Sequence, residues 1–123
     1  MLDRKNRLKK RKSFNYIYRK GKVVGTRLLT LVFVFSKSKS GDSKIGFSVS
    51  KKVGNSVVRH RVTRQMRAAV REIIPSIKQN HSLIFVAKED MHGQTTEEIK
   101  RSIIKSLEKA GLLEPQDTKR GEV

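Results

Sequence analysis

The 123-residue chain has no cysteine, no tryptophan, only two prolines, and only three acidic residues before Glu89. Without cysteine there is no disulfide framework and no thiolate metal site, and His60, His81 and His92 lack a metal-ligand spacing. Residues 1–88 hold 23 Lys or Arg against 3 Asp or Glu, whereas residues 89–123 hold 6 against 8, for net charges of +20 and −2. The footprint for a polyanion therefore lies upstream of Glu89. Long hydrophobic runs are missing too. The longest, at 28–35, is too short to span a bilayer, and the basic N-terminus leads into no signal-peptide hydrophobic region, so the expectation is a cytoplasmic protein with no membrane partner.

What is present suits one domain of modest core, 1–113, comprising a basic arm at 1–12 and followed by a polar tail at 114–123. Alone, the arm would be disordered. Ser13 is positioned to cap a short helix in which Phe14, Ile17 and Tyr18 share a face and Tyr16 points elsewhere, with Gly21 ending it. Phe14 and Tyr18 suit either core packing or stacking on a base. Residues 28–35 read as a strand, and the polar turn after it predicts a hairpin with 44–50. That second strand alternates strictly. Ile45, Phe47 and Val49 take the core face, while Gly46, Ser48 and Ser50 form a small polar face with room for a ligand backbone.

Residues 51–71 carry seven Lys or Arg and no acid. Drawn as a helix from Val57, they gather Val58, Val62, Met66, Ala69, Val70 and Ile73 on one side. His60, Arg61, Arg64, Arg67 and Arg71 collect opposite, with Arg59 at the border. Asn55 or Ser56 supplies the N-cap, Gly54 the turn, and Lys51 and Lys52 add charge beside a helix N-terminus that already favours phosphate. Arg predominates, which suits bidentate phosphate contacts and stacking on bases. Pro75 ends or kinks the helix. Residues 82–87 then read as a strand buried on both faces, so strand, helix and strand make a crossover with parallel pairing. Thr95 and Glu98 form a capping box for a last helix with Ile99, Ile103, Leu107 and Ala110 inside, stopped by Gly111.

No carboxylate cluster, His and acid pair or glycine-rich phosphate loop accompanies these charges. Binding is the expected task, of RNA more than DNA. A protein nuclease acting alone, or a ribosomal or RNA-assembly protein on structured RNA, are the competing readings.

The stretch KIGFSVSKKVGNSVVRHRVTRQMR resembles the signature of the bacterial ribonuclease P protein subunit, and RLKKRKSFNYIYRKGK resembles that family's opening helix. The resemblance covers roughly residues 7–113. It implies an α+β sandwich: a four-stranded mixed sheet packed by about three helices, with a left-handed β-α-β crossover. It also implies a cofactor to a catalytic RNA subunit that removes the 5′ leader of precursor tRNA, using Mg2+ held mainly by RNA; the expectation is a free protein that is monomeric and binds no cofactor alone. By position, Lys51, Lys52, Asn55, Arg59, Arg61, Arg64 and Arg67 match the family's RNA-contacting signature, and His60 and Arg71, on the same helix side, are expected to contact that RNA with them. Phe14 and Tyr18 match the family's aromatic positions in the leader cleft, and Ser48 and Ser50, from the small polar strand face, are expected to line it with them. His60, Thr63 and Val32 depart from the family pattern, Val32 standing where an aromatic ring is common.

Overall fold

The computed structural model describes residues 6–8, 10–36 and 41–113; most of the polar turn after the second strand and the tail at 114–123 lie outside them. Four strands, β1 (Lys22–Gly25), β2 (Leu29–Phe35), β3 (Lys44–Ser48) and β4 (His81–Ala87), form one mixed sheet in the order β1-β2-β4-β3. Helix α1 (Arg11–Lys20) covers one face, while α2 (Ser56–Ile73) and α3 (Thr96–Ala110) cover the other. The alternation of side chains along the strands sorts them between two cores of unequal size. Leu29, Leu31, Ile45, Leu83 and Phe85 pack with Val62, Met66, Val70, Ile99, Ile103 and Leu107 in a cluster of 18 buried residues. Under α1, among the described residues, the buried cluster is Ile17, Val32 and Ile84, edged by Leu8, Phe14, Val34 and Val86. At about 1.5–3 kcal/mol per fully buried aliphatic side chain, the α2–α3 side dominates stability and α1 is lightly docked.

The expected hairpin between 28–35 and 44–50 does not form. β2 instead pairs antiparallel with β1, Lys22 opposite Phe33 through Gly25 opposite Thr30. The short run 22–25 is too brief to stand out as a strand, and its turn is fastened from outside. Thr26 N–H donates to Leu29 O at 2.8 Å, Thr26 Oγ1 lies 2.7 Å from Ser102 Oγ, and Lys88 and Lys109 donate to the carbonyls of Thr26 and Gly25 at 2.6 and 2.9 Å. β3 takes the far edge because β4, apolar on both faces, fills the centre. β4 pairs antiparallel with β2 and parallel with β3, Lys44 opposite Ser82 through Ser48 opposite Val86, and α2 makes the crossover.

Ser13 does not cap α1. The helix starts at Arg11 with Lys10 as N-cap, no side chain bonding there, and Ser13 inside the first turn. A tertiary contact sets this start. Leu8 N–H donates to Ile45 O at 3.0 Å, Arg7 bridges Ile45 in parallel register, and buried Asn6 donates Nδ2–H to Ser43 O at 2.9 Å. Residues 6–8 of the arm thus cover part of the open edge of β3, where unpaired backbone groups would otherwise face solvent. Gly21 ends the helix as expected, for reasons of space: a Cβ there would lie 2.6 Å from Ile17 O.

Candidate nucleic-acid interface

Helix α2 begins where predicted. Asn55 Oδ1 accepts from Val58 N–H at 3.0 Å, so this side chain, and not Ser56, satisfies one orphan donor. The turn before it is compact: Val53 N–H donates to Ser50 O, Gly54 N–H to Lys51 O, and Val53 is buried in the main core. Gly54 is required by packing, since a Cβ there would stand 2.6 Å from Val58 Cγ1. Arg59 Nε–H donates to Gly54 O at 3.2 Å, and Thr63 Oγ1–H donates to Arg59 O at 2.9 Å. Arg59 therefore braces the turn that displays Lys51 and Lys52, both exposed. Ser50 Oγ accepts from Lys52 N–H at 3.3 Å, so Ser50 too belongs to this turn.

The helix buries Val62, Met66, Ala69 and Val70 and turns its cationic side outward. His60, Arg61, Arg64 and Arg71 are exposed and Arg67 is half-buried. Two shallow depressions run along this side, of about 980 and 620 Å³, sharing His60, Arg64 and Ala68. Together they form one groove. Ser56, Arg61 and Thr96 line its start, Arg67, Arg71 and Glu72 its end. Glu72, the acid at its margin, is bound by Lys100 of α3, and that hydrogen bond and charge raise the Lys100 pKa above its ordinary value. Gln65 donates to Gln94 O at 3.2 Å, holding α3's approach against α2. None of the four arginines that line the groove, Arg61, Arg64, Arg67 and Arg71, has an ion-pair partner among the described residues, so a polyanion would meet no internal competitor.

A second surface lies between α1 and the sheet. Phe14 and Tyr18 share a flank of α1, but they are not equivalent. Phe14 is half-buried, with Cζ and Cε2 so near Gly46 that a Cβ there would lie 2.5 and 2.9 Å from them. Tyr18 is 46% exposed. Ser48 is half-buried on the strand face shared with Gly46, opposite Val86, and Ser50 lies further on, at the turn before α2. Val32, where the family pattern favours a ring, is 5% exposed under α1 and offers no stacking surface. The structure thus brings Phe14, Tyr18 and Ser48 to one side of α1 and places Lys51, Lys52, Asn55 and the α2 arginines in another set, joined through Ser50. Sequence reasoning missed Asn6, whose anchoring role has no signal in a charged arm, and Lys88, which ties β4 to the β1–β2 turn.

No three His, Cys, Asp or Glu side chains converge among the described residues, so they offer no donor set for a metal ion and no step is assigned to a protein-bound one. No helix among them is long and apolar enough to cross a membrane.

The family model for ribonuclease P matches residues 2–111. The ribonuclease P protein component of Clostridium novyi is 40% identical over 112 residues, spanning 90% of this chain and 98% of that protein. Its counterpart from Alkaliphilus metalliredigens is 37% identical over 108 residues, 88% of this chain and 96% of the relative. Among solved structures, the Staphylococcus aureus RNase P protein superposes with a TM-score of 0.77 at 30% identity, covering 87% of this chain and 96% of that one. The Thermotoga maritima RNase P protein, at 18% identity, TM-score 0.76 and coverage of 85% and 96%, shares the fold.

Proposed function

The chain belongs to the ribonuclease P protein family, and from that premise we propose that its two surfaces divide the work of a ribonucleoprotein. As the protein component of an RNA-based endoribonuclease, it serves in the 5′ processing of tRNA. The groove of α2, with Lys51, Lys52, Asn55 and the face from His60 to Arg71, binds phosphates of the catalytic RNA subunit. Phe14 and Tyr18, with Ser48 and Ser50 at the strand side, hold the single-stranded leader of precursor tRNA. Arg59 acts by stiffening the turn. The observation that carries this reading is the α2 groove, where four arginines stand without ion-pair partners among the described residues.

Cleavage belongs to the RNA, and Mg2+ is a requirement of that RNA; the protein contributes affinity and charge neutralisation. The free protein is a monomer, works in the cytoplasm, and folds as one domain over residues 1–113. A role on ribosomal or other structured RNA is not favoured, because the relatives found are ribonuclease P protein components.

The test is precursor tRNA cleavage by the cognate RNA subunit at near-physiological magnesium, with and without the protein. The protein should raise leader-dependent affinity, the rate, or both. A protein that changes neither does not have this function.

A further inference from the structure

The flank of α1 turned away from Phe14 and Tyr18 has a composition of its own. Lys12, Tyr16 and Lys20 stand four residues apart, which on a helix keeps neighbours within about 40° of one another. Cation, aromatic and cation thus alternate along one stripe of a helix that has no acid. Beneath the stripe is a depression of about 200 Å³ between α1 and the ends of β2 and β4, reached by Lys12, Ser13, Tyr16, Ser36 and Ser82. Ser82 sits opposite Val34 in the sheet and follows the same alternation as Ile84 and Val86, so its side chain turns toward α1. It is 7% exposed, and its hydroxyl has no hydrogen-bond partner among the described residues. The hydroxyl lines the depression and is reached from it, so a ligand donor or acceptor seated there has a partner that no group of the protein already occupies. Tyr16, by contrast, is 47% exposed, its ring available on the depression's wall.

We propose that this depression is a nucleotide-binding site, in which an unpaired base stacks on Tyr16, its polar edge or ribose hydroxyl bonds to Ser82 and Ser36, and Lys12 and Lys20 contact the flanking phosphates. It is separate from the leader cleft, which lies on the other flank of the same helix. One helix then addresses two RNA segments. The proposal deepens the RNA-binding role above and rests on it. The nucleotide comes either from an unpaired segment of the RNA subunit or from the upstream part of the leader.

The experiment uses the holoenzyme reconstituted with the cognate RNA subunit and the variants Tyr16→Ala, Tyr16→Phe and Ser82→Ala. Two affinities are measured: protein for the RNA subunit alone, and holoenzyme for precursor tRNA carrying leaders of increasing length. Tyr16→Ala should weaken one of them by about 5- to 150-fold, the range of a lost base stack, while Tyr16→Phe stays within about two-fold. Ser82→Ala should weaken the same affinity by about five-fold, the equivalent of one hydrogen bond. A loss on the RNA subunit alone assigns the nucleotide there, and a loss that appears only with longer leaders assigns it to the substrate; either upholds the site. Thermal unfolding of Tyr16→Ala should match the unsubstituted protein. Tyr16→Ala with both affinities unchanged overturns the site, and so does a Tyr16→Ala loss that Ser82→Ala does not share. Failure of the functional reading would look different, with the unsubstituted protein leaving cleavage unaffected.

Discussion

At the scale of single residues, Phe14 and Tyr18 share a helix flank but divide two tasks. The Phe14 ring rests on Gly46 and edges the small buried cluster under α1, whereas nearly half of Tyr18 is exposed. Tyr18→Ala should therefore cost on the order of 1–3 kcal/mol of leader binding while leaving the melting temperature unchanged. Phe14→Ala should lower both. Leader-length titrations beside thermal melts distinguish them, and a Tyr18→Ala variant that melts early would put its ring in the core. Arg64, exposed at the centre of the α2 groove, is the cleanest probe of phosphate contact. Arg64→Ala should reduce the slope of log K against log salt for the RNA subunit by about one unit. Residue-level reading from sequence stopped at Gly46. Its smallness was visible, but that it seats a Phe14 ring depends on where α1 crosses the sheet, which no local pattern encodes.

Among elements, the two long helices were legible because periodicity, capping and packing agree. α2 shows Asn55 at its cap and an apolar stripe, and α3 shows Thr95 accepting from Glu98 N–H at 3.1 Å and Gly111 at φ 74°. These matched caps yield a controlled comparison. Asn55→Ala and Thr95→Ala should each destabilise the protein by about 1 kcal/mol, measured by urea unfolding. Only Asn55→Ala should also weaken RNA binding, because Lys51 and Lys52 display their charge from the turn it closes. What was not legible were the contacts that local chemistry does not announce: β1, made a strand by its pairing with β2; α1's start, set by residues 6–8 on β3; and the place of β3 beyond β4. A turn-rich segment after β2 looks the same whether the next strand pairs beside it or crosses to the far edge.

For the whole molecule, the inequality of its two layers governs behaviour. Among the described residues, eighteen buried side chains form the core between the sheet and α2 and α3, while the buried cluster under α1 has three. Native-state hydrogen exchange should show α1 amides opening at distinctly lower free energy than those of β4 and α3. Equal protection across all three would mean that α1 is held by more than its contacts. RNA engaging both flanks of α1 should raise its protection selectively, since a ligand that binds the ordered form shifts the opening equilibrium by mass action.

The position of β4 also determines how this chain reaches its native state. β2 and β3 never touch as paired strands; β4 joins the β1–β2 pair to β3, and β4 comes after α2 in the chain. During synthesis, β2 can pair with β1 as it emerges, but β3 emerges with no strand to pair with, and the arginine helix emerges before the strand that organises the layer beneath it. Pairings this distant in sequence must await loop closure, which slows folding. Assembly of the sheet has one committing event, the insertion of residues 81–87 between two strands that otherwise do not meet. Until then the nascent chain offers RNA its charge without its shape.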